Sequence, residues 1–68
     1  MTRTLSLNGR RVDTDATTLA ELLAAQGYDP AGAHACAVNR QFVPRATWAS
    51  RPLADGDQVD VVAPVTGG

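Results

Sequence analysis

The sequence contains no lysine; all six basic residues among its 68 are arginine. It has one cysteine, Cys36, and one histidine, His34. A lone cysteine excludes an internal disulfide, and one Cys with one His is too few ligands for a structural zinc or iron–sulfur site. We therefore expect no metal. Aromatic residues are nearly as scarce: Tyr28, Phe42 and Trp48 are the whole set. No apolar run approaches the ~20 residues that cross a bilayer, and no signal-peptide core is seen. Charge is almost balanced, at −1, so the basic stripe of a nucleic-acid binder is missing. There is no G-x-x-x-x-G-K phosphate loop. A pocket for a drug-sized ligand occupies roughly 300–1,000 Å³, which so short a chain could hardly build and still keep a core. The expectation is a soluble cytoplasmic protein that binds no cofactor of its own. If it takes part in ATP chemistry, another protein supplies the ATP site.

What is present is a regular apolar pattern. Hydrophobic residues make up 44% of the chain, and a domain of this length buries only about 60% of its unfolded surface. Without disulfide or metal, that pattern must supply the core. Arg3-Thr4-Leu5-Ser6-Leu7 alternates and predicts a strand with the leucines inward. Asn8-Gly9 is a hairpin turn signal, and 10–13 is the return strand. Thr18 stands three residues before Glu21 in capping-box order. Leu19, Leu22 and Leu23 then mark one helical face, with Gly27 as the stop, so a helix is expected over 19–26. Residues 28–32 read as a loop. Ala35-Cys36-Ala37-Val38 reads as a buried third strand. Asn39-Arg40-Gln41 turns it into a short fourth, Phe42-Val43, which Pro44 ends. Residues 46–50 predict a single helical turn carrying Trp48. Asp55-Gly56 begins a turn into a last strand, Gln58 to Val62, with Val59 and Val61 inward.

The order is β-β-α-β-β-β. One helix must cover one face of one sheet, and the crossover through it predicts a mixed sheet of four to five strands. The fold class is α+β, of the β-grasp or ubiquitin-like kind. We expect a β-grasp domain over 1–63 and a flexible tail over 64–68.

That tail is uncharged apart from its terminal carboxylate and ends in Gly67-Gly68. Glycine is about 7% of average residues, so a chance terminal pair has a frequency near 0.5%. Glycines lack Cβ, so a narrow partner channel can close around them. Pro64, Val65, Thr66, Gly67 and Gly68 together extend about 17 Å, at ~3.4 Å per residue. This is enough to enter a partner's active site while the body docks outside. A carboxylate is a poor electrophile. Conversion to an acyl-adenylate gives it a leaving group, and sulfur attack then leaves a thiocarboxylate on Gly68.

Asn39, Val43-Pro44-Arg45, Trp48, the run from Leu53 to Val59, and the Pro64-Val65-Thr66-Gly67-Gly68 end resemble the thiamine-biosynthesis sulfur carrier family, ThiS. Thr18-Leu19-Ala20-Glu21-Leu22-Leu23 matches its helix start. The resemblance covers essentially the whole chain and departs from the family in the alanine-rich stretch from Asp29 to His34 and in His34-Ala35-Cys36. It implies a carrier that is not itself an enzyme. A ubiquitin-activating-like adenylyltransferase (ThiF type) would use ATP to adenylate Gly68. A cysteine desulfurase or another donor would supply sulfur, and a thiazole synthase (ThiG type) would receive it.

Other readings stay open from the residues. The small subunit of molybdopterin synthase has the same fold and tail. A ubiquitin-like modifier would join target lysines through Gly68, but without lysine of its own it could form no lysine-linked chains. A plain binding module would not need the Gly-Gly end. Arg45 and Trp48 are candidates for a partner surface, with local pairing and packing as the alternative for each. Cys36 reads as a small buried hydrophobe in preference to a persulfide acceptor. His34 reads as a surface-loop residue. Asp55-Gly56-Asp57 offers too few oxygens for a calcium loop, and Asp55 and Gly56 read as turn chemistry.

Overall fold

The computed structural model of the chain describes residues 2–29 and 32–62. Strand β1 (Arg3–Leu7) and strand β2 (Arg10–Thr14) form the expected antiparallel hairpin, with Leu5 opposite Val12. Asn8 and Gly9 turn it with φ of 53° and 81°. Two left-handed residues give the type I′ geometry that matches strand twist. Helix α1 (Leu19–Ala25) follows.

The helix start is capped as its sequence suggests, with one shift. The Thr18 hydroxyl accepts the Glu21 N–H at 3.3 Å. The Glu21 carboxylate reaches back one residue further than a capping box does, accepting the Thr17 N–H and the Thr17 hydroxyl, both at 2.7 Å. At the other end the helix closes at Ala25, one residue before the expected end, with Gln26 as the cap. Gly27 N–H bonds to Ala24 O and Tyr28 N–H to Leu23 O, a Schellman closure that needs the positive φ of 89° at Gly27.

Strand β3 (Ala35–Val38) and strand β4 (Gln41–Val43) form a second hairpin, turned by Asn39 and Arg40. A 3-10 turn, η1 (Arg45–Ser50), then leads to strand β5 (Gln58–Val62). The sheet order is β2-β1-β5-β3-β4. Strand β5 is central, parallel to β1 and antiparallel to β3. This is the mixed, five-stranded β-grasp sheet.

The core lies between α1 and one sheet face. Leu19, Leu22, Val38 and Val59 are fully enclosed, with Leu5, Leu7, Leu23, Cys36 and Trp48 around them. Burial of each large aliphatic side chain contributes roughly 1.5–3 kcal/mol, so the apolar stripe carries the fold. The segment before β5 is stitched to the helix start: Leu19 N–H bonds Arg51 O, and Leu53 N–H bonds Thr17 O. No helix among the described residues is long and apolar enough to cross a membrane.

Candidate functional site

The tail 63–68, with Gly68, Gly67, Thr66, Val65 and Pro64, lies outside the described residues, as does the boundary expected at 63. What the structure describes is the place the tail leaves from. Val62 is the last residue of β5, and its register partner is Ala35, the first residue of β3. Val62, Ala35, Ala33, His34 and Arg45 line a shallow groove of about 340 Å³. The base of the tail therefore sits between a strand start, a loop and the first residue of η1.

Arg45 shapes this groove. Its guanidinium donates to the carbonyls of Gly32 and His34, and it lies 4.6 Å above the Trp48 ring. The flat guanidinium can lie over the ring while its edge N–H groups donate. The Trp48 ring also stacks on His34 at 5.4 Å and 21°, and Tyr28 meets the other aromatic neighbour, His34, at 5.4 Å. His34 lies in the loop before β3, as expected, but is half-buried in an aromatic stack where an open surface position was expected. The local sequence shows no partner for it because both rings come from other segments.

Trp48 is 5% exposed, and its Nε1 donates to Val43 O at 2.9 Å. Of its two candidate roles the structure assigns packing. The ring is packed into the core cluster, with little of it open to solvent. Cys36 is 2% exposed. Burial pushes its thiol up from the ordinary range, against a smaller opposing pull from the Arg45 charge, which disfavours the reactive thiolate. Asp55 accepts the Thr4 N–H at 2.8 Å, and Asp57 accepts the Ala54 N–H at 2.9 Å. Both carboxylates tie the turn before β5 to its surroundings, as expected for Asp55.

The two sheet faces differ. On the face away from α1, the β1–β2 half is polar: Thr4 donates its hydroxyl to Asp13, and Arg11 lies 3.6 Å from Asp13. The β3–β4–β5 half of that face is mixed: Ala35, Ala37, Phe42 and Val62 share it with Gln58 and Asp60, and Asp60 is opposite Ala37. Ala37 is opposite Phe42, and Ala35 is opposite Val62. Phe42 is 69% exposed and Val62 65%. These two large apolar side chains open to solvent were not picked out from the sequence. The signal was there: alternation puts Phe42 on the face opposite the buried Val43, and Val62 opposite Val61.

The family model described as ThiS family matches residues 3–68. The chain belongs to the ThiS family. The match runs through Gly68. Membership makes the chain a small sulfur carrier protein of thiamine biosynthesis that works with partner enzymes. The chain is also similar to the crystal structure of the thiamine biosynthesis protein ThiS from Geobacter metallireducens. Identity is 25% and the TM-score 0.80, over 96% of this chain and 99% of that one. A solution NMR structure of a thiamine biosynthesis protein from the same organism is similar at 25% identity and a TM-score of 0.75, over 96% and 87%. Among curated proteins no sequence matches. At 25% identity most side chains differ, so the shared ThiS fold rests on pattern: two hairpins, one helix and a central last strand.

Proposed function

We propose that Gly68 is the reacting residue and that the rest of the domain presents it. The observation that supports this best is the central position of β5: the strand that leads to the tail is anchored on both sides, and six residues ending in Gly67-Gly68 follow it. At about 17 Å, residues 64–68 span the distance into a buried active site.

In this reading an adenylyltransferase of the ubiquitin-activating kind (ThiF type) binds ATP. The Gly68 carboxylate attacks the α-phosphorus, pyrophosphate leaves, and an acyl-adenylate forms. A persulfide of a sulfur donor, such as a cysteine desulfurase or its acceptor, attacks the acyl carbon, and AMP leaves with the electron pair of the broken C–O bond. A second thiol then cleaves the S–S bond, leaving the thiocarboxylate on Gly68 and a disulfide on the donor side. The thiocarboxylate passes its sulfur to a thiazole synthase (ThiG type). Gly67, Thr66, Val65 and Pro64 serve reach and fit. The exposed Phe42 and Val62, with Asp60 on the same face, suit the docking of a partner beside the tail base, with Arg45 holding the groove in shape. The buried Cys36 has no part in the transfer.

The test is intact-protein mass spectrometry of the chain incubated with the adenylyltransferase, ATP and a sulfur donor of its host. One oxygen should be replaced by sulfur at Gly68, and deletion of Gly67-Gly68 should abolish the species while the fold persists. Absence of that product with all components present would sink the reading.

A further inference from the structure

Strand β5 outruns one of its neighbours. Its pairing with β1 ends at Leu7, opposite Val59, and the Asn8 N–H bonds Val59 O at 2.9 Å before the hairpin turns away. The next N–H on that side belongs to Val61. No strand of the described residues faces it there, yet it is bonded: the side-chain oxygen of Asn8 accepts it at 2.7 Å, across 53 positions of sequence. The Asn8 amide nitrogen is in turn 3.5 Å from the Tyr28 hydroxyl, which fixes which way the amide points. Asn8 is therefore more than a turn residue.

The opposite end of β5 has a matching device. Pairing with β3 ends at Val38, opposite Val59, and the Asn39 side-chain oxygen accepts the Gln58 N–H at 3.0 Å. Asn39 also has a positive φ, 52°. Each asparagine extends a neighbouring strand by one bond. Only the Asn8 bond lies at the end of β5 that leads to the tail, one residue before Val62.

We propose that Asn8 is a positioning residue for the loading of Gly68; this rests on the adenylation reading above. By holding Val61 against the end of β1, the Asn8 amide fixes the direction in which β5 delivers the tail to the partner. Reacting groups must approach within ~3–3.5 Å, and small misplacements at a distance are expensive in rate.

The test uses Asn8→Gly, which keeps the left-handed turn but removes the acceptor. Asn8→Asp keeps an acceptor, and Asn39→Gly removes the matching clamp at the far end. Pyrophosphate release is followed with the adenylyltransferase of the host and ATP against carrier concentration, at a temperature where circular dichroism shows all chains equally folded. Asn8→Gly should lose about five-fold in kcat, the weight of one net hydrogen bond, with KM for the carrier unchanged because the docking face is intact. Its Val61 amide should exchange hydrogen faster. Asn8→Asp should recover the rate. Asn39→Gly should load like the wild type although its Gln58 amide exchanges faster. Wild-type loading by Asn8→Gly, or an equal loss in Asn39→Gly, overturns the proposal by reducing both residues to general stabilisers. No pyrophosphate from the wild-type chain itself overturns the adenylation reading and this inference with it, so the two failures are distinguishable.

Discussion

Trp48 gathers three different contacts in one ring: core packing against the helix side, a hydrogen bond from Nε1 to Val43 O, and the Arg45 guanidinium above it. Trp48→Ala should destabilise the domain by about 3–5 kcal/mol, as large core truncations do. Trp48→Phe should cost less, since much of the packing stays and the hydrogen bond is lost. Urea unfolding of the two variants checks the order, and equal costs would show that the ring's bulk is not what matters. The position of this tryptophan, three residues after Arg45, was readable from the sequence and carried part of the family resemblance. Its role was not. A 3-10 turn has too short a period to tell from sequence which side faces inward. The same limit applies to Asn8: the Asn-Gly pair announces a turn, but a bond to a residue 53 positions on depends on the parallel pairing of β1 with β5, which no local pattern specifies.

Helix α1 is seven residues long, below the length at which an isolated helix holds in water, so its ends and its leucine face decide whether it forms. Two backbone and side-chain bonds from Thr17 to Glu21 hold the Glu21 carboxyl below the ordinary glutamate value of 4.5, the backbone bond contributing most. A lowered carboxyl pKa means that the folded state binds the proton more weakly than the unfolded chain does. The stabilisation is thus fully present above pH 4.5 and is lost as the pH falls through the folded-state value. Glu21→Gln should accordingly be less stable than the wild type at neutral pH and should lose less on acidification, so that the urea midpoints of the two converge as the pH falls through the folded-state value of Glu21. Parallel curves would remove Glu21 from the acid response. At this scale the sequence was most informative. Alternation located β1 and β5, the leucine spacing located the helix, and Gly27 located its end. The weakest signal belonged to β4, where Gln41 joins Phe42 and Val43 in the strand; three residues are too few for a period to emerge.

At the scale of the whole molecule, the exposed pair Phe42 and Val62 on the outer half-face of β3–β4–β5 bears on partner choice. Phe42 projects from an edge strand and takes no part in the core, so Phe42→Ser should leave stability within about 0.5 kcal/mol of the wild type. If this half-face seats the adenylyltransferase, the same change should raise KM for the carrier about ten-fold, as loss of a central aromatic contact does, with kcat unchanged. An unaltered KM would remove the half-face from docking. This signature is the reverse of that expected for Asn8→Gly. The β-grasp topology was legible from element order and from the need of one helix to cover one sheet. The insertion of β5 between the two hairpins came with that topology, and the placing of Phe42 and Val62 on one exposed face followed from it only once the register was known.

That central insertion has a mechanical consequence. A partner that grips residues beyond Val62 pulls along the axis of β5, and the load runs parallel to the sheet. The bonds to β1 and β3 flank the strand on both sides, so they are strained together in shear and do not peel open one by one from the end. A pull on the chain beyond Val62 is therefore shared across the sheet, and the domain is not unravelled by it.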